Sequence, residues 1–211
     1  MDNWSYKVYH ELYVDTAIDQ FNIAQDAYVE LMNQENEEPN ARTHELVDII
    51  KRNAIATICF SVMALESYVN TVSSVCISKS FAETIDHLDV VAKWIVVARV
   101  GANLELNKGQ APLQRIVESV KLRNQFVHSK SKTIKPNENG QVEIPNVNLK
   151  EDFVKPAYEA LMAIRDVVAW FNGNWKECVL SMYDEDVERK VKDQFKNVDN
   201  TWCFMETVTI Y

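Results

Sequence analysis

Glycine and proline are scarce in this chain, and this scarcity constrains its fold more than any other feature. The 211 residues include 4 glycines and 5 prolines, so few positions favour the tight turns that a many-stranded sheet requires. Between them lie long segments in which apolar residues recur at the spacing of one helix face. The sequence therefore predicts an all-α bundle of about five to six helices, with a helix content above about 40%.

We expect one domain over residues 1–211, with a core at about 45–172, a long loop after the helix that begins near Pro112, and a short extended C-terminal tail within 175–211. Ser80 and Glu83 have the form of a capping box, and Gly101 is expected to end the segment that follows. The predicted helices cover about 3–34, 43–78, 80–100 (one helix, or a short turn and a helix), 112–128, 148–172 and 184–197.

The remaining composition points to an intracellular protein without bound metal. The N-terminal residues are polar rather than leader-like, and no apolar run reaches the length that spans a bilayer. Cys59, Cys76, Cys178 and Cys203 are widely spaced and lack companion histidines at zinc spacing, so we expect reduced, mostly buried thiols. The expectation is a soluble, cytoplasmic protein with no membrane contact, no metal and no cofactor.

The helix from Pro112 has a polar end that its apolar pattern does not explain. Leu113, Ile116, Val117, Val120 and Phe126 recur near helical spacing and predict a buried face, whereas an arginine, an amide and a histidine follow each other closely in the sequence RNQFVH, residues 123–128. On an ideal helix, five residues correspond to about 140° of rotation. The arginine and the histidine of one copy therefore do not share a face, and a second copy of the helix, or a loosened last turn, is needed to bring them together.

This RNQFVH sequence resembles the R-x4-6-H motif of the HEPN superfamily, small all-α domains of which many are metal-independent ribonucleases that act as dimers. Two other segments are similar to family segments: residues 64–70 resemble the acid-bearing part of the preceding long helix, and 88–94 the "L…KW" segment ahead of the motif. The resemblance covers roughly residues 45–170. It implies a homodimer that cuts RNA, in a toxin or defence role, with an antitoxin or a neighbouring regulatory protein as a further partner.

The resemblance assigns roles to the motif residues. Arg123, Asn124 and His128 are the candidate catalytic residues, with Glu66 of the long helix as a fourth. RNA supplies its own 2′-hydroxyl nucleophile, so the protein needs a proton acceptor, a proton donor and cationic contacts to phosphate. A histidine exchanges its proton near neutral pH, and an arginine donates paired hydrogen bonds to phosphate oxygens. Some family members extend the motif with a modified tyrosine, but Lys130 occupies that place here, which argues against control by tyrosine adenylylation.

Charge is segregated along the chain. The net charge is −9, which disfavours nonspecific nucleic-acid binding. Residues 93–135 nevertheless hold nine basic and two acidic residues, a net of +7, so the remainder carries −16. A positive segment centred on the motif is what a polyanion site requires. The candidate RNA-binding residues are Arg115, Lys121, Lys130, Lys132 and Lys135.

Other interpretations of the sequence remain open. Arg123 can be a solvated helix residue, and His128 a cation at the negative helix end. Glu66 can point to solvent, and the basic residues can scatter over several faces of the folded chain. A catalytically inactive helical interaction module or scaffold would show the same long amphipathic helices.

Overall fold

The computed structural model describes residues 9–34, 40–128 and 153–174, and within these ranges it contains six helices and no strand. The all-α prediction is therefore confirmed for the described part of the chain. The predicted C-terminal helix and tail, and the long loop after the motif, lie outside the described residues. The helices are α1 (Tyr9–Asn33), α2 (Ala41–Cys76), α3 (Lys79–Ile85), α4 (Val90–Ala102), α5 (Leu113–Val127) and α6 (Val154–Asn174).

Helices α1 and α2 form an antiparallel hairpin that makes the most extensive contact in the bundle. Near its connection, the Arg42 guanidinium donates two hydrogen bonds of 2.8 Å to the Glu30 carboxylate. Farther along, the ring of Tyr13 stacks on that of Phe60. Asn40 fixes the start of α2, because its side chain accepts hydrogen bonds from the backbone N–H groups of residues 42 and 43.

Helices α5 and α6 form a second antiparallel pair, which packs across the first. Phe126 stacks on Phe153 at one end of the pair. At the other end, the Arg115 guanidinium donates to Asp166 at 2.6 Å. Helix α6 contacts both helices of the first pair, and it is buried between them and α5 along Ala157, Leu161, Ile164 and Phe171, as its apolar spacing predicts.

The centre of the core is aromatic. Trp94 and Phe171 are fully buried, with ring centroids 5.1 Å apart, and both lie against Tyr68 of α2. Each such ring removes about 150–250 Å² of surface from water. This cluster joins α2, α4 and α6, so it fixes the position of α4 relative to the two long helices.

The segment between α2 and α5 differs in detail from the sequence prediction. Ser78, not Ser80, precedes α3, and it makes no side-chain capping bond. Asp89 separates α3 from α4 by accepting a hydrogen bond from the Ala92 N–H. Gly101 does not end α4; the helix continues to Ala102, and Asn103 ends it in the left-handed conformation, at φ 55°.

One helix in the described ranges, α2, is long and apolar enough to cross a membrane by length and composition. The prediction that no segment reaches this length was therefore wrong. Half of the most apolar stretch of α2 is buried inside the bundle, as in a central core helix.

We predict that Asn40→Ala lowers the free energy of unfolding by about 1 kcal/mol, because two backbone N–H groups lose their acceptor. The matched control is Asn22→Ala, at an exposed position within α1, where alanine favours the helix by a few tenths of a kcal/mol. Urea denaturation of both variants measures the difference. Equal stabilities for the two variants would show that the cap contributes nothing.

Candidate functional site

The buried face of α5 positions the polar end of this helix. Leu113 and Ile116 are completely buried, and Val120 and Phe126 pack against the core at its edge. Because these residues hold one side of the helix against α2 and α6, the opposite side of its last turn is open to solvent. Asn124 and His128 are exposed there.

The last turn of α5 keeps α-helical geometry. The His128 backbone N–H donates to the Asn124 carbonyl oxygen at 3.0 Å, and the helix extends to Val127. Arg123 and His128 therefore keep the separation of about 140° around the helix axis that an ideal helix imposes. Since the turn does not loosen, one copy of the helix does not direct both side chains at a single phosphate.

Arg123 lies on the side of α5 that faces α2. It is half-buried, and its guanidinium is close enough to Cys59 to influence the thiol. Burial raises the pKa of Cys59, and the positive charge of Arg123 lowers that pKa in part. The thiols of Cys59 and Cys76 are only half-buried, so the expectation of mostly buried thiols does not hold for these two.

The polar groups of the three motif side chains are unpaired among the described residues. Within the part of the chain that the structure describes, the side chains of Arg123, Asn124 and His128 make no hydrogen bond or ion pair. Their donors and acceptors are therefore available to a ligand. An arginine, an amide and an imidazole can bind a phosphate, orient it and exchange a proton.

Glu66 lies in a different place. It lines a groove of about 490 Å³ whose described wall comes from α1 and α2, beside Tyr9, Tyr13 and Met63. Along α2, Glu66 is two turns from Cys59, or about 10 Å. The structure therefore places Glu66 in a groove with α1, and no described residue of α5 lines that groove.

The basic segment is divided between the interior and the surface. Arg115 forms ion pairs with Glu159 at 3.2 Å and with Asp166 at 2.6 Å, so carboxylates of α6 neutralise it. Lys93 is buried against α2, whereas Lys121 is exposed. The candidates Lys130, Lys132 and Lys135 lie outside the described residues. Part of the positive segment thus stabilises the bundle, as the scattering interpretation expects.

Two contacts between helices could not be predicted from the local sequence. Cys59 approaches Arg123 across 64 positions of the chain, and Lys93 of α4 bonds to Asn70 of α2. Only the packing of α2 against its neighbours creates these pairs. Among the described residues, no three His, Cys, Asp or Glu side chains come close enough to hold a metal ion.

Comparisons with protein-family models, with curated proteins and with solved structures found no match to this chain.

We predict that Arg123→Met raises the pKa of Cys59 further, because the substitution removes the cation that stabilises the thiolate. Alkylation of Cys59 then becomes slower at a given pH, and its pH profile moves to higher pH. Mass spectrometry of the Cys59 peptide follows the reaction. Lys121→Met, a change at an exposed position two residues earlier, serves as the control and leaves the profile unchanged. An identical profile for both variants would contradict the position of Arg123 against α2.

Proposed function

We propose that this protein is a metal-independent endoribonuclease of the HEPN type that acts as a homodimer in the cytoplasm. The observation that carries the proposal is the end of α5, where the Arg123, Asn124 and His128 side chains have no partner among the described residues. Arg42 and Arg115, by contrast, are paired with carboxylates. Unpaired polar groups that lie together at one helix end suit an external ligand.

The proposed reaction uses the 2′-hydroxyl of RNA as the nucleophile. His128 accepts the hydroxyl proton while the oxygen attacks the adjacent phosphorus, and the bond from phosphorus to the 5′-oxygen breaks. The leaving oxygen takes its proton from a water molecule, so each site uses one histidine and one arginine. Arg123 donates to the non-bridging oxygens, on which negative charge builds up. The products are a 2′,3′-cyclic phosphate and a 5′-hydroxyl.

A symmetric dimer supplies the geometry that one chain lacks. Because α5 is regular to Val127, Arg123 and His128 diverge around its axis. A twofold axis beside the two α5 ends lets the arginine of one copy meet the histidine of the other. Val127 lies between Arg123 and His128 around the helix axis. It is 56% exposed, so it offers an apolar contact for such a pair.

RNA binding outside the reacting phosphate rests on a smaller set of cations than the charge pattern alone predicts. Lys121 is exposed on α5, and Lys130, Lys132 and Lys135 follow the motif in the sequence. Arg115 is omitted because its charge is neutralised by two carboxylates. Glu66 is omitted because it faces the α1–α2 groove. A toxin or defence role, with an antitoxin or other regulator as partner, completes the proposal.

The alternative function is a catalytically inactive helical interaction module. The observation that favours it is the set of large apolar side chains exposed on the bundle, of which Leu12 is 58% and Val127 56% exposed. Exposed apolar groups contact partner proteins where they form a contiguous patch. Activity on RNA separates the two functions.

We predict that the wild-type protein cleaves mixed RNA in EDTA and that His128→Ala and Arg123→Ala each reduce the rate by about two orders of magnitude or more. Lys121→Ala weakens cleavage only modestly, since it removes one screened phosphate contact. The control is Lys108→Ala, at an exposed lysine outside the motif helix, which leaves the rate unchanged. Circular dichroism verifies that each variant is folded. Wild-type inactivity would leave the interaction module as the function. Products that carry a 5′-phosphate would contradict attack by the 2′-hydroxyl.

We further predict that a mixture of the two inactive variants, Arg123→Ala and His128→Ala, recovers activity after subunit exchange. In a mixed dimer, the intact arginine of one copy meets the intact histidine of the other. The rate is measured against each variant alone at the same total concentration. A mixture as inactive as its components, although light scattering shows dimers, would mean that the two residues do not act across the twofold axis.

A further inference from the structure

Helices α2, α3 and α4 line an open pocket of about 580 Å³ that the proposed ribonuclease site does not use. We call it the Lys93 pocket. Its volume falls in the range of small-molecule sites. Its lining residues are Val69, Asn70, Ser73, Ser74, Lys79, Ala82, Glu83, Ile85, Asp86, Lys93 and Val97.

The pocket contains a buried cation, Lys93, whose charge is only weakly neutralised by neighbouring side chains. Only 5% of the Lys93 side chain is exposed, and its Nζ donates to Asn70 Oδ1 at 3.0 Å and to Asp86 Oδ1 at 3.2 Å. The Asp86 side chain is 77% exposed, so water screens the carboxylate of this pair. An ammonium group has three donors, and the described residues supply acceptors for two. A desolvated ammonium with one donor left over favours a further anionic acceptor.

Other polar groups converge on the same space. Ser73 is 7% exposed, and within the described residues its hydroxyl has no hydrogen-bond partner. Lys79 adds a second positive charge at the pocket edge, also without a partner there. Two ammonium groups and a hydroxyl provide the donors that a phosphate group requires.

The remaining lining residues indicate which other chemical groups a phosphate-bearing ligand would have. Ala82 and Ile85 supply an apolar wall, behind which Val69 and Val97 are fully buried. The carboxylates of Glu83 and Asp86 can accept hydrogen bonds from hydroxyl or amino groups. Inorganic phosphate alone is too small to fill the pocket. We propose that the Lys93 pocket binds a phosphate monoester of nucleotide size, with its phosphate at Lys93 and Lys79 and its ring system on the apolar wall.

This pocket is separate from the end of α5. Asn70 and Cys59, the α2 residue near Arg123, are eleven positions apart, or about 16 Å along the helix. The inference therefore does not rest on the ribonuclease proposal. Binding is measured on the Arg123→Met, His128→Ala double variant, so that a nucleotide held at the motif is not mistaken for one held in the pocket.

The experiment titrates this double variant with adenosine 5′-monophosphate, adenosine and inorganic phosphate, using calorimetry and thermal denaturation. We expect the monophosphate to bind and to raise Tm by about 4 °C at ten times its Kd. Adenosine does not bind, and inorganic phosphate binds more weakly than the monophosphate. Adding Lys79→Glu reduces the affinity by about tenfold or more without a folding risk, since Lys79 is exposed.

The matched control adds Lys108→Glu, the same charge change at an exposed lysine outside the pocket, and keeps the affinity. Lys93→Met, checked for folding by circular dichroism, abolishes binding. Equal binding of adenosine and its monophosphate, or equal losses for the Lys79 and Lys108 variants, would overturn the proposal. So would the absence of binding by all four nucleoside monophosphates and by ribose 5-phosphate at millimolar concentration.

Discussion

Burial of α2 on several sides is the constraint on which the rest of the structure depends. This helix has 36 residues and contacts each of the other five helices. A helix with apolar side chains on more than one face is stable in water only when other helices cover those faces. The hairpin with α1 covers one side, and α4, α5 and α6 cover the others. The positions of Arg123 and Lys93 follow from this packing, because each belongs to a helix that covers α2.

The polar groups inside the bundle show how closely charge is tied to packing. Arg115 lies between α5 and α6, and its two ion pairs with Glu159 and Asp166 hold these helices in register. In the described part of the chain, Lys93 has one exposed carboxylate and one amide oxygen as acceptors. A half-buried guanidinium with two carboxylates is a complete structural element, whereas a buried ammonium with one screened carboxylate leaves room for another anion. This difference separates a cation that stabilises the fold from one that suits a ligand.

Helix geometry is equally decisive at the end of α5. The hydrogen bond between the His128 N–H and the Asn124 carbonyl keeps the last turn regular. Regularity directs Arg123 towards α2 and Cys59 while His128 is exposed. A site that needs both side chains at one phosphate then requires a second helix end, and the proposed dimer follows from this geometry as much as from the resemblance of the motif.

The sequence by itself determined the helical class, the approximate bounds of the long helices and the buried face of α5. These depend on local periodicity, which one chain segment contains in full, as the burial of Leu113 and Ile116 illustrates. Local signals failed where several residue types can begin or end a helix. Ser80 has the form of a cap without acting as one, and Asn103 ends α4 although Gly101 was the better candidate. Only the tertiary structure decided which charges are free. The neutralisation of Arg115 by α6, the position of Glu66 in the groove beside α1 and the burial of Lys93 beside Asn70 all depend on how separate helices meet. Electrostatic pairing acts through space, and the spacing of residues along one segment does not contain it.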